Sequence, residues 1–180
     1  RVLALRVELN HNLGCQLGPS TAHPPLVGSR MLSGVYAIPA MHVTVNGIFT
    51  HSRTLTTYRG AGRPEATLIV ERMIDLAAHE LGIDAVEIRR RNMIRPEQMP
   101  YSVGLTFRDG KPLVYASGDF PKSQTRALAL SHYASFRARQ SDARAEGRYL
   151  GIGIGNYVEG TGLGPFEGVT VRVLPNGRVA

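Results

Sequence analysis

Cysteine is nearly absent from this sequence: Cys15 is the only one in 180 residues. A single thiol cannot close an internal disulfide. Without a CxxC pair there is also no thiolate set for structural zinc or an iron–sulfur cluster. This usage fits a reducing, cytoplasmic setting. Long apolar runs are missing too. No stretch approaches the roughly 20 residues that span a bilayer, so the sequence predicts a soluble protein with no transmembrane segment. The first strand begins at the first residue and a secretory leader is not expected; no repeat of solenoid length recurs.

Glycine and proline, by contrast, are plentiful, at 20 and 11 residues, and predict much irregular, tightly turned backbone. The 43% hydrophobic content can supply a core for one or two domains. A formal charge of +7 raises the question of nucleic acid. The densest basic run, Arg89-Arg90-Arg91 with Arg95 beyond, follows Glu87 on a helical segment, and no aromatic residues interleave with it. A single-strand binder needs stacking rings beside its charges. The run is therefore read as a solvated or subunit-facing helix surface, with no nucleic-acid partner.

Alternation of apolar residues predicts strands at Arg1–Leu9 and Met41–Phe49, with a bulge or bend at Gly47. Between them, Asn10–Gly28 is rich in Gly, Pro and His and predicts an extended loop. His11, His23 and His42 lack the spacing of helical metal-ligand pairs, so no metal site is assigned. The best helix follows Pro64. Glu65 suits its positive end, Ile69, Met73, Leu76, Ala77 and Leu81 recur at helical spacing, and Gly82 stops it. Asp84 with Glu87 three residues on resembles a capping box that starts a shorter helix.

Residues 99–118 read as a loop with one short hairpin, and 119–147 as a third helix with an exposed end. Residues 149–164 read as a small-residue strand running into a glycine-rich loop. Gly168–Leu174 alternates as a strand into an Asn-Gly turn. Strands and helices segregate, which favours α+β, a mixed sheet with packed helices, over a doubly wound sheet. Three parts are expected: 1–63 strands and loops, 64–147 mostly helical, and 148–180 a glycine-rich loop and hairpin. The sequence reads as an internal piece of a longer chain, cut within strands at both ends. Alone it is expected to be poorly soluble or partly folded.

Tyr58-Arg59-Gly60-Ala61-Gly62-Arg63-Pro64 is the segment best suited to chemistry. Two glycines allow close backbone approach, two arginines flank them, and a helix N-terminus follows. Together these could cradle an anionic or carbonyl-rich ligand. The same residues could equally make only a tight strand-to-helix turn. The third glycine and acidic residue of a dinucleotide fingerprint are missing, as is the Lys-Ser/Thr of a P-loop.

YRGAGRPE, running into LIVERMIDLAAHELGID and EIRRRNMI, resembles the large subunits of molybdenum hydroxylases of the xanthine dehydrogenase/aldehyde oxidase family. The likeness is nearest the bacterial branch labelled carbon monoxide dehydrogenase-like. It extends through MLSGVYAIPA and VNGIFT on one side and YVEGTGLGP on the other.

The resemblance implies the molybdopterin-binding domain of such an enzyme. It also implies molybdenum held by molybdopterin cytosine dinucleotide, and partner subunits carrying FAD (medium, flavin-binding) and [2Fe-2S] (small, iron–sulfur) in a dimer of heterotrimers. By residue-wise match, Arg59, Gly60, Ala61 and Gly62 would bind the cofactor. Ala61, Thr161 and Gly162 would line the substrate pocket. The alternative for Arg59 is an ordinary loop salt bridge. Ala61 stands where some relatives carry a phenylalanine that packs on substrate, implying a roomier pocket.

Carbon monoxide dehydrogenases hold copper on a loop cysteine whose matching position here is Gly60, so copper chemistry is not expected. The family's base, a glutamate in a Gly-x-Gly-Glu-like motif, is missing, and neither Glu159 nor Glu65 is assigned that role. No catalytic residue is named. The expected activity of the whole subunit is hydroxylation of a small aldehyde or N-heterocycle with water as oxygen donor. A non-catalytic scaffold or assembly module of the same fold is the alternative.

Overall fold

The computed structural model describes residues 1–107, 110–160 and 168–179. β1 (Leu5–Gly14) and β2 (Met41–Phe49) form a parallel pair, in register from Leu5 opposite Met41 to Asn12 opposite Ile48, with a shift before Gly14 opposite Phe49. A parallel pair needs a crossover, and this one contains α1 (His23–Ser29). The Asn10–Gly28 stretch is therefore not a loop throughout: β1 runs on to Gly14, and a short helix follows. Pro24 and Pro25 fall in the first helical turn, where their fixed φ is already helical and their missing N–H groups cost nothing. Gly47 is not a bulge, since the register is regular there and shifts only between Asn12 and Gly14. A Cβ at Gly47 would instead lie 2.8 Å from the Leu13 side chain.

α2 (Arg63–Leu81) is the main helix. Ala66, Val70, Ile74 and Ala78 recur every four residues and are buried along one stripe. Gly82 ends it at φ 62°, and Ile83 N donates to Ala78 O at 2.9 Å, a Schellman closure. α3 (Ala85–Asn92) is capped by Asp84, whose carboxylate accepts from the Val86 and Glu87 amides. Glu87 does not complete the box; it pairs with Arg90 and Arg91.

A short 3-10 turn at 96–98 leads into the antiparallel hairpin β3 (Tyr101–Thr106) and β4 (Pro112–Tyr115). The class is α+β, with the strands in two separate two-stranded sheets.

The expected single helix over 119–147 is two: α4 (Phe120–Leu130) and α5 (Tyr133–Ala145). They break at His132, which is left-handed at φ 52°. Side-chain hydroxyls of Ser131 and Ser135 bond to local carbonyls around this point, competing with the helical ladder. Residues 149–160 form no strand. Alternate residues do turn inward, but no neighbouring strand among the described residues offers a ladder. Strand pairing in 168–174 reduces to one bridge between Val173 and Val179 across the Pro175-Asn176-Gly177 turn.

The core lies between α2, α3 and the Val35–Ile38 segment, with Val35, Tyr36, Val70, Ile74 and Met93 at its centre. Two smaller clusters flank it, one of Val7, Met31, Leu32 and Ala66 under the parallel pair, the other of Ile94, Val103 and Tyr115 under the hairpin. Among the described residues no helix is long and apolar enough to cross a membrane.

Candidate functional site

The loop before α2 folds as two overlapping turns. Ala61 N donates to Tyr58 O at 2.8 Å, and Arg63 N donates to Gly60 O at 3.1 Å. This geometry puts three successive residues at positive φ: Gly60 at 95°, Ala61 at 50° and Gly62 at 93°. Glycine adopts such angles freely, whereas alanine there costs about 1–2 kcal/mol. Strain of this kind persists where the surroundings over-determine the backbone, often at ligand sites.

Here α1 is the constraint. A Cβ at Gly62 would fall 1.8 Å from Pro24 O, and one at Gly28 would fall 2.7 Å from Gly62 O. The two helices therefore meet backbone to backbone. Ahead of the loop, Thr57 Oγ1 donates to Ser20 O at 3.2 Å and ties the approach to the same crossover.

The loop and α1 enclose a cleft of about 370 Å³, lined by His23, Arg30, Arg59, Ala61, Arg63 and Phe107 among others. Three arginines face it and no carboxylate does, among the described residues. Arg59 is exposed. It makes no ion pair among the described residues, so the salt-bridge alternative finds no partner there. The Gly60 and Gly62 amides likewise have no acceptor among the described residues. Positive side chains, unpaired amides and the positive end of α2 all favour an anion with several acceptor oxygens. The donor set fits a phosphate-bearing, carbonyl-rich group such as a pterin phosphate.

Arg59, Gly60 and Ala61 line this cleft, whereas Gly62 turns away from it to pack against Pro24 and Gly28 of α1. Thr161 and Gly162 lie outside the described residues. Glu65 is exposed in the first turn of α2, and Glu159 sits 2.8 Å from Arg63 Nε, in an ion pair whose N–H does not point squarely at the oxygen. Among the described residues no three His, Cys, Asp or Glu side chains gather as metal ligands.

Sequence reasoning missed a buried ionic network behind the site. Arg89, read from the sequence as part of a solvated run, is 0% exposed. Its Nε donates to Glu71 Oε2 at 2.8 Å, its other nitrogens reach Ala85 O and Ile154 O, and Asp75 Oδ1 lies 2.8 Å away. Tyr36 donates its hydroxyl to the other oxygen of Glu71. Burial pushes the Tyr36 pKa far up, and donation to the Glu71 carboxylate adds to the rise. Burial is the largest influence and works against the Arg89 charge, but the hydrogen bond and charge of Glu71, with Tyr36 and Asp75, together outweigh it and the guanidinium pKa is raised.

The signal was phase. Arg89 follows Ile88 and lies one turn from Ala85, and Glu71 follows Val70 on a helix whose stripe is otherwise apolar. Only Arg90 and Arg91 form the exposed face that the charge run suggested.

A strained glycine loop opening on a cationic cleft is the geometry of a site suited to an anionic ligand. The molybdopterin cofactor-binding domain family matches residues 1–93, and the chain belongs to that family. Over 99% of its length the chain is 33% identical to the 6-hydroxypseudooxynicotine dehydrogenase complex subunit gamma of Paenarthrobacter nicotinovorans, covering 22% of that protein. It is 34% identical, over 98% of its length, to the carbon monoxide dehydrogenase large chain of Hydrogenophaga pseudoflava, covering 23% of it. The solved quinoline 2-oxidoreductase of Pseudomonas putida 86 superposes with a TM-score of 0.75 at 30% identity, over 98% of this chain and 24% of that one. The chain thus spans under a quarter of the length of these curated relatives.

Proposed function

We propose that this chain forms part of the molybdopterin site of a hydroxylase that oxidises a small aldehyde or N-heterocycle with water as oxygen donor. The observation that carries the reading is the Gly60–Ala61–Gly62 turn. Its left-handed backbone places Arg59, Gly60 and Ala61 on the wall of one cleft that Arg30 and Arg63 also line. Arg59 would donate charge-assisted hydrogen bonds to acceptor oxygens of the cofactor. Gly60 and Gly62 would supply the left-handed turn that presents Arg59 and Ala61, since a side chain at either would meet the Pro64 ring or Pro24 O. The Ala61 methyl would leave room for substrate where a larger ring would fill it. When bound, the molybdenum–pterin group supplies the redox chemistry, and the protein's share is binding, orientation and charge.

The cytosine dinucleotide form of the cofactor is part of this proposal. So are flavin and iron–sulfur subunits as partners bearing FAD and [2Fe-2S], a dimer of heterotrimers, and a cytoplasmic location. Relatives named as a 6-hydroxypseudooxynicotine dehydrogenase complex subunit, a nicotine 6-hydroxylase large subunit and an aldehyde oxidoreductase support the substrate class. Copper-dependent oxidation of carbon monoxide is disfavoured at Gly60. That residue offers no sulfur, and a Cβ there would lie 2.6 Å from the Pro64 ring.

The test is molybdenum content, by elemental analysis, of the complete subunit expressed with its partners and a working cofactor pathway. Stoichiometric metal is expected, and Arg59→Ala is expected to lose most of it with an unchanged circular dichroism spectrum. A folded, complete protein without molybdenum would overturn the enzyme reading in favour of a scaffold.

A further inference from the structure

Residues 152–160 run as an extended strap along α2. Ile154, Asn156 and Val158 turn inward, while Gly153, Gly155 and Tyr157 face outward. The strap is fastened at several levels. Near its start, Ile154 O accepts from Arg89 Nη2 at 3.1 Å. In the middle, Val158 packs against all three core clusters at once. At its end, Glu159 Oε1 lies 2.8 Å from Arg63 Nε, and the same oxygen accepts from Gly160 N at 3.0 Å. Arg63 Nη1 donates in turn to Gly60 O at 3.3 Å. Gly60 O also accepts the Arg63 amide that closes the second turn of the loop. One side chain therefore links the strap to the strained turn.

We propose that Arg63 and Glu159 are positioning residues: their ion pair clasps the strap onto the Gly60–Gly62 turn and holds that turn in its left-handed form. Arg63 is mostly buried, with its side chain 18% exposed, while Glu159 is 48% exposed. A pair this open contributes modestly. Its effect falls on the local equilibrium between the held and released turn rather than on global stability. The consequence for cofactor retention rests on the proposed molybdopterin reading; the clasp itself does not.

Both can be measured separately on the complete subunit. Trypsin reports the turn directly, because Arg59-Gly60 is a cleavable bond in an exposed segment, whereas Arg63-Pro64 resists cleavage. Cleavage after Arg59 under native conditions is expected to be about fivefold faster in Glu159→Ala and Arg63→Ala, the fold-change that a pair of about 1 kcal/mol implies. Glu159→Gln, which keeps the acceptor oxygen, should fall between wild type and Glu159→Ala. Arg91→Ala, which removes an exposed pair elsewhere in the domain, should leave the rate unchanged.

Should Arg63→Ala fail to fold, the two Glu159 variants carry the test. Rates equal to wild type in the Glu159 variants would overturn the clasp. Molybdenum retention, measured in parallel, should fall in the variants whose turn is released. Wild-type protein without molybdenum would sink the cofactor reading and leave the proteolysis result to decide the clasp.

Discussion

Replacing Arg89 by methionine is the most demanding test of the packing account. The side chain is 0% exposed, and it neutralises a Glu71 side chain that is itself only 8% exposed. Methionine fills a similar volume, so the cavity contribution is small. What remains is a carboxylate in the core whose one remaining donor among the described residues is the Tyr36 hydroxyl. The Ile154 carbonyl also loses its donor, while Asp75, 39% exposed, can turn to water. Breaking one partner of a buried pair costs about 3–5 kcal/mol, most of it the stranded charge.

Urea unfolding reads this out. Far-UV circular dichroism and tyrosine emission are suitable probes, since the sequence has no tryptophan. Glu71→Gln in the Arg89→Met background should recover more than half of the loss, because the stranded charge is then gone. Arg91→Met, on the exposed face of the same helix, should show no resolvable change. If Arg89→Met proved as mild as Arg91→Met, the buried-network account would be wrong.

Tyr36 gives a pH signature. Its pKa is raised by burial and by the Glu71 bond, so folded protein keeps the proton after the unfolded chain loses it near the ordinary tyrosine value of 10.0. The stability this group contributes is fully present below that pH. It should be lost as pH rises above it, by about 1.4 kcal/mol per pH unit. Stability curves between pH 8 and 11 would show a shallower decline in Tyr36→Phe, and equal slopes would refute the assignment. Gly62→Ala would drive a Cβ to 1.8 Å from Pro24 O at a φ of 93°. It should cost more than about 4 kcal/mol or displace α1. An unaltered thermal melt would show that the α1–α2 contact is looser than described.

Much of the architecture was legible in local pattern. The alternation in Met41–Phe49, the apolar periodicity after Pro64 and the Gly82 stop each gave an element, because strand and helix periods and cap preferences act over a few residues. Where two tendencies competed, the pattern misled. The Pro-Pro pair that suggested loop begins α1, and the apolar run of 119–147 divides at a left-handed His132. The YRGAGRPE motif located the strained turn before α2, since its glycines and the following proline mark a turn running into a helix start.

Side-chain partners across the chain were not readable. Whether Arg89 meets water or Glu71 depends on how α3 rotates against α2, a packing decision made by residues 18 positions apart. The same holds for Arg63 and Glu159, and for Gly62 against Pro24. Sequence by itself determined β2, α2 with its Gly82 stop, the family and the glycine loop, because those rest on local conformational preference and on a motif carried in consecutive residues. Only the tertiary structure decided which arginine is buried, which is clasped and which is left free in the cleft, because burial and charge pairing are set by the distances between elements.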